Sequence, residues 1–105
     1  MIRHIVLVRP RADVAPEAWA SLMGRLDSVV DALPGAMTFR SGSNVSPEAG
    51  MGKGYSEAFV VDFHDAAARD AYLVDPEHVR IGERLVQMAQ DGPEGIVVVD
   101  LEIGS

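Results

Sequence analysis

The sequence predicts an α+β domain with the ferredoxin-like order β-α-β-β-α-β. Three observations carry that expectation. Residues 2–8 and 96–103 are β-branched runs that alternate like strands. Residues 16–33 repeat apolar positions with the 3.6 period of a helix. Between and after these lie two further strand patterns and a helical stretch broken by Pro76. One domain over 1–105 is expected, because a chain of 105 residues has no room for two cores.

The elements follow in order. In the first strand Ile2, His4, Val6 and Val8 share one face, and Arg3, Ile5 and Leu7 share the other. A strand apolar on both faces must be covered on both. One cover is this chain's own helices; the other is expected to be a second subunit. Pro16 opens the first helix. Trp19, Leu22, Met23, Leu26, Val29, Val30 and Leu33 form its apolar stripe, and Pro34-Gly35 stops it. Residues 36–44 read as a second strand, 45–54 as a long glycine-rich loop of the kind that serves as a lid or is mobile. The glycines at 50 and 52 do not complete a phosphate-binding motif. Residues 55–63 alternate as a third strand. Asp65 caps a helix that ends near Val74, because Pro76 disfavours the helical conformation at Asp75. Asp75 and Pro76 then start another helix, running to about Gln90, with His78 in its first turn. His78, Ile81, Leu85 and Met88 lie on one stripe, so His78 faces the core. A turn at 91–95 leads to the fourth strand.

Composition excludes several classes. The formal net charge is −7, which argues against nucleic acid and anionic membranes as partners. There are no cysteines, so no thiol or disulfide chemistry is available. No apolar run approaches the ~20 residues of a membrane span. The N-terminus enters a strand pattern directly, without a signal-peptide pattern, so a cytoplasmic location is expected.

The candidate site lies between the sheet and its helices. It holds His4, Tyr72, His78 and Asp100, with Val6, Phe59 and Val61 on the same sheet face lining it. Asp100 sits in the valine run of the fourth strand, where a lone buried carboxylate is costly. It needs a donor, and His78 is the expected one; a carboxylate on one ring nitrogen leaves the other nitrogen as a base. If the site is catalytic, the chemistry expected of it is removal of a proton beside a carbonyl by His78, oriented by Asp100, with the Tyr72 hydroxyl donating to the oxygen. That pairing needs no cofactor. No His or Asp pair has the close spacing of a metal motif, so no metal is expected. The bland counterpart is a Tyr–His–Asp network that only satisfies polar groups and stiffens a core. His64 is expected at the surface, and Asp62, Asp65 and Asp70 as a cap plus a solvated face.

The segment Phe63-x-Asp65-x-x-Ala68-x-x-x-Tyr72-x-x-x-Pro76-x-His78 resembles the signature of the stress-responsive A/B barrel (Dabb) family. Arg3-His4-Ile5-Val6-Leu7, Gly42-x-Asn44-x-Ser46-Pro47 and 98–102, Val-Val-Asp-Leu-Glu, extend the resemblance along nearly the whole chain. It implies a homodimer in which two sheets face each other as a dimeric α/β barrel. The family includes plant stress proteins and a plant polyketide cyclase. By resemblance to the cyclase, Tyr72 and His78 are the acid/base pair, Asp100 supports the histidine, and His4 lines the pocket. Glu57 stands where the cyclase has a histidine, and the first helix offers Leu26 or Asp27 near a pocket aromatic, so the pocket differs in shape. The function implied is a cofactor-free acid/base lyase or cyclase acting on a small enolisable, polyketide-like compound. The alternative is a non-catalytic stress-response or small-ligand-binding protein.

Overall fold

The computed structural model describes residues 1–104. Its elements are β1 (Ile2–Val8), α1 (Pro16–Ala32), β2 (Ala36–Ser43), β3 (Glu57–Phe63), α2 (Ala66–Val74), α3 (Pro76–Met88) and β4 (Ile96–Glu102), with a short 3₁₀ turn at Gly92–Gly95 before β4. The sheet order is β2-β3-β1-β4, so β1 lies between β3 and β4. Both of those pairings are antiparallel, and they set His4 opposite Val61 on one side and Asp100 on the other. Directly opposed residues share a face of the sheet. That register collects Ile2, His4, Val6, Val8, Phe59, Val61 and Phe63 under the helices.

The helices fill that side as their periodicity dictates. Leu22, Met23, Leu26, Val29 and Val30 of α1 are buried, as are Ile81, Leu85 and Met88 of α3. Trp19 and Leu33 pack at the margin of the same core. Val8, Val61 and Phe63 are fully buried, so the central strands carry the most enclosed positions. β4 is different. Val98, on the helix side of this edge strand, is exposed, because no helix reaches over it.

Among the described residues no helix covers the opposite sheet face; only the 44–56 loop reaches its end, beside Leu7 and Ala58. Ile5, Leu7, Ala58, Val60, Val97, Val99 and Leu101 alternate onto it, and Val99 and Leu101 are each 44% exposed. At one end of this face Arg3 and Asp62 are cross-strand partners joined by two hydrogen bonds of 2.9 and 3.1 Å. Asp62 is therefore an ion-pair member and more than a solvated surface carboxylate. The Arg3 guanidinium holds its carboxyl below the usual range, against the opposing effect of burial.

Two local devices place α2 and α3. Gly35, at φ +83°, turns the chain from α1 into β2, and its carbonyl accepts from the His64 N–H at 2.9 Å. A Cβ at Gly35 would stand 2.7 Å from that of Ala68, so α2 packs directly against this turn. At the other end α2 stops at Val74. Asp75 takes an extended conformation and caps α3, its carboxylate accepting from the His78 N–H at 3.0 Å. Asp65 likewise accepts from the Ala68 N–H at 2.9 Å. The loop at 44–56 is knitted by its own turns. Asn44 Oδ1 accepts from the Ser46 N–H, and the Tyr55 N–H donates to the Gly52 carbonyl. No helix among the described residues is long and apolar enough to cross a membrane.

Candidate functional site

The site is an aromatic and imidazole cluster where β1, α2 and α3 meet. Tyr72 is fully buried, held there because position 72 is the inward face of α2 just before the break. The His78 ring lies against it with centroids 4.0 Å apart. His4, 4% exposed, meets Tyr72 edge-on at 5.8 Å, and Phe63 stands 5.2 Å from Tyr72. Val6, Phe59 and Val61 are buried members of the same core. The four polar residues expected from the sequence are thus brought together, although Asp100 takes other partners than those expected.

The expected His78–Asp100 pair does not form. Asp100 accepts from His4 Nδ1 at 2.7 Å and, on its other oxygen, from Arg69 Nη1 at 2.8 Å. The reason is topological. β4 runs beside β1, so the residue facing Asp100 is its cross-strand neighbour His4, whereas His78 comes from a helix that does not cover β4. Burial pushes the Asp100 carboxyl up, but the bonds from His4 and Arg69 outweigh it and hold it below the usual range. An ionised carboxylate only accepts, so His4 Nδ1 carries the hydrogen that faces it. Arg69 is not among the residues that the sequence pattern singles out. Its signal was position: one turn before Tyr72 on α2, it reaches over toward the edge strand.

The other two groups lack such partners. Tyr72 Oη and His78 Nδ1 are both buried without a hydrogen-bond partner among the described residues. Burial, aided by the charge of Asp75, raises the Tyr72 pKa strongly, so the hydroxyl stays a donor. Burial, reinforced by the nearby His4 and opposed by the Leu73 backbone and Asp75, lowers the His78 pKa. Burial thus favours the neutral imidazole at His78. A neutral base beside a protonated phenol can move a proton between carbon and oxygen atoms of a carbonyl compound. A groove of about 440 Å³ lies between α1 and the start of α3, lined by Val29, Ala32, Leu33 and Asp75; none of the cluster's rings lines it. The Arg25–Glu77 ion pair, 2.8 Å long, stands on the same lining. Among the described residues no group of His, Asp and Glu has the geometry of a metal centre.

A four-stranded antiparallel sheet with helices on one face and a Tyr–His cluster beneath them defines a small ferredoxin-like α+β protein. Residues 2–103 match the stress responsive A/B barrel domain, and the chain belongs to that family. It is similar to a dimeric ferredoxin-like protein of unknown function from Jannaschia sp. CCS1. The two are 38% identical over 97% of this chain and 98% of that one, with a TM-score of 0.90. A second dimeric ferredoxin-like protein of unknown function, from Thermobifida fusca YX, is 25% identical over 97% and 90% of the chains, with a TM-score of 0.76. The hydroxynitrile lyase from Passiflora edulis shares the fold at 19% identity, covering 98% and 93% of the chains with a TM-score of 0.81. No curated protein matches the sequence.

Proposed function

We propose that this protein is a cofactor-free acid/base lyase or cyclase for a small enolisable carbonyl compound, working as a homodimer. One observation carries the reading: the Tyr72 hydroxyl and the His78 Nδ1 are buried in contacting rings without a geometric hydrogen-bond partner among the described residues, although the Leu73 backbone lies close enough to act on the imidazole. An unsatisfied buried polar group costs about 1–3 kcal/mol. Phenylalanine at 72 would shed that cost, which supports a use for the hydroxyl beyond packing. In this reading His78 Nδ1 takes the proton from the carbon beside a carbonyl, and Tyr72 donates to the oxygen as it becomes negative. That a lyase exists on the same fold lends support to the class of reaction. The homodimer rests on the uncovered apolar sheet face and on the dimeric relatives.

The test is deuterium incorporation into acetylacetone in heavy water, followed by proton NMR. Wild type should accelerate exchange; Tyr72→Phe and His78→Ala should each reduce it about 10²-fold or more. Tyr72→Phe should also raise the stability by about 1 kcal/mol, because it removes an unsatisfied donor. Variants that exchange as fast as wild type would sink the mechanism. The non-catalytic reading draws on the complete burial of Tyr72. It predicts no exchange by any form, together with a loss of stability in Tyr72→Phe.

A further inference from the structure

The open sheet face carries a cation that finds no partner among the described residues. Arg40 stands opposite Val60, and Val60 opposite Ile5, so the arginine shares the apolar face with both. It is exposed, and no carboxylate among the described residues bonds it. Asp62, diagonal to it on β3, is taken by Arg3 and Thr38. A second copy that covers the face covers Arg40 as well. A guanidinium buried without an anion is costly, so the cover must bring one. At one end of the same face lies a hollow of about 380 Å³, between the sheet and the 44–56 loop. Leu7 and Ala58 supply its apolar floor and Met51 a wall, with Asn44, Ser46 and Glu48 on the rest of the lining. Glu48 is the charged member of that lining, exposed and without an ion-pair partner among the described residues; Lys53 of the same loop does not line it. The loop's return end is fastened from behind. Arg9 stands 5.2 Å over the Tyr55 ring, and the Tyr55 hydroxyl donates to the Glu94 carbonyl at 3.1 Å.

We infer that this hollow is the socket for Arg40 of a second copy of the chain, with the guanidinium on Glu48. This rests on the homodimer reading above and adds what registers the two faces. The chemistry of the hollow suits an arginine and no shorter cation. Its apolar floor takes the aliphatic stem, and the carboxylate takes the planar head. A two-fold axis makes the contact occur twice, each copy giving one arginine and one socket. Apolar surface alone lets two sheets slide past each other; a pair of opposite charges at fixed places does not. The socket also gives the 44–56 loop a purpose. It adds nothing to the core under the helices, yet it holds Glu48 and Met51 at the border of the face that must be covered.

Charge exchange tests the pair. Sedimentation equilibrium of the whole chain gives the dimer dissociation constant, and circular dichroism checks that each variant is folded. Arg40→Glu and Glu48→Arg should each weaken the dimer about 10²-fold, because each sets like charges together at two places. The double exchange, Arg40→Glu with Glu48→Arg, should return to within about tenfold of wild type. Arg40→Met keeps the stem and drops the charge, and should cost about tenfold. Both positions are exposed in the single chain, so the fold should survive every one of these changes. Lys53→Gln, on the same loop but outside the socket, should leave the constant unchanged. Single reversals that leave the dimer as tight as wild type overturn this inference alone. So does a double exchange no tighter than the single ones, since the two residues then do not meet. A wild type that stays monomeric at micromolar concentration overturns the homodimer reading and this inference with it.

Discussion

His78 and Asp100 depend on pH in opposite parts of the scale, and their stability effects separate accordingly. The folded-state pKa of His78 lies below its ordinary value of 6.5, chiefly through burial. The unfolded chain therefore takes up the proton first, and stability rises with pH in that window. The contribution is complete above the unfolded pKa and is lost as pH falls through it toward the folded value. Wild type should thus lose melting temperature between pH 7 and pH 5 more steeply than His78→Gln, and the two slopes should converge above pH 8. Asp100, also lowered, holds its contribution above the ordinary carboxylate value and loses it only as pH falls through the folded pKa. A melting series across both windows checks the assignment. The inward placement of His4, Tyr72 and His78 was legible from the chain, because helical stripe and strand alternation put them on the faces turned to the core. The pairing was not. Which histidine Asp100 meets is decided by strand order, and one-dimensional spacing carries that only to a reader who places the fourth strand beside the first and counts back to His4.

At the scale of elements, the break between α2 and α3 makes the site. Two caps were readable at once, since Asp65 and Asp75 each precede a helical pattern and each accepts from the N–H three residues on. Asp65→Ala and Asp75→Ala should cost similar stability, about 1 kcal/mol each, in a denaturant titration. Only Asp75→Ala should also slow acetylacetone exchange, because that cap fixes the turn carrying His78. Equal effects on exchange would show that the break does not position the histidine. The strand and helix limits expected from the sequence run long by one or two residues at several ends. β3 begins at Glu57 where Tyr55 was expected, and α3 stops at Met88 where Gln90 was. Tyr55 alternates correctly but leaves the ladder: its hydroxyl donates to the Glu94 carbonyl and its ring lies under Arg9. Alternation reports a pleat and not where hydrogen bonding ends.

For the whole molecule the decisive feature is the sheet face without a cover. Seven apolar side chains in register form a patch of the kind that marks an interface. Val99→Glu should convert a homodimer to monomer, as measured by light scattering at micromolar concentration, while leaving the helix-side core untouched. A monomeric wild type would instead assign the patch to another partner. This face was the most legible large-scale property, because strands apolar on both sides can be read without any contact map.

The outermost strand has a further consequence. β4 presents an unpaired edge, and along it stand Asp100 and Glu102, in a chain already carrying a net charge of −7. A second copy adding its own β4 antiparallel to this edge would bring carboxylates into line across the new ladder, and like charges placed opposite one another disfavour pairing. A carboxylate such as Glu102 on the outermost strand disfavours extension of the sheet by a second copy. The strand that supplies the acceptor for His4 is thus also the strand least suited to templating another.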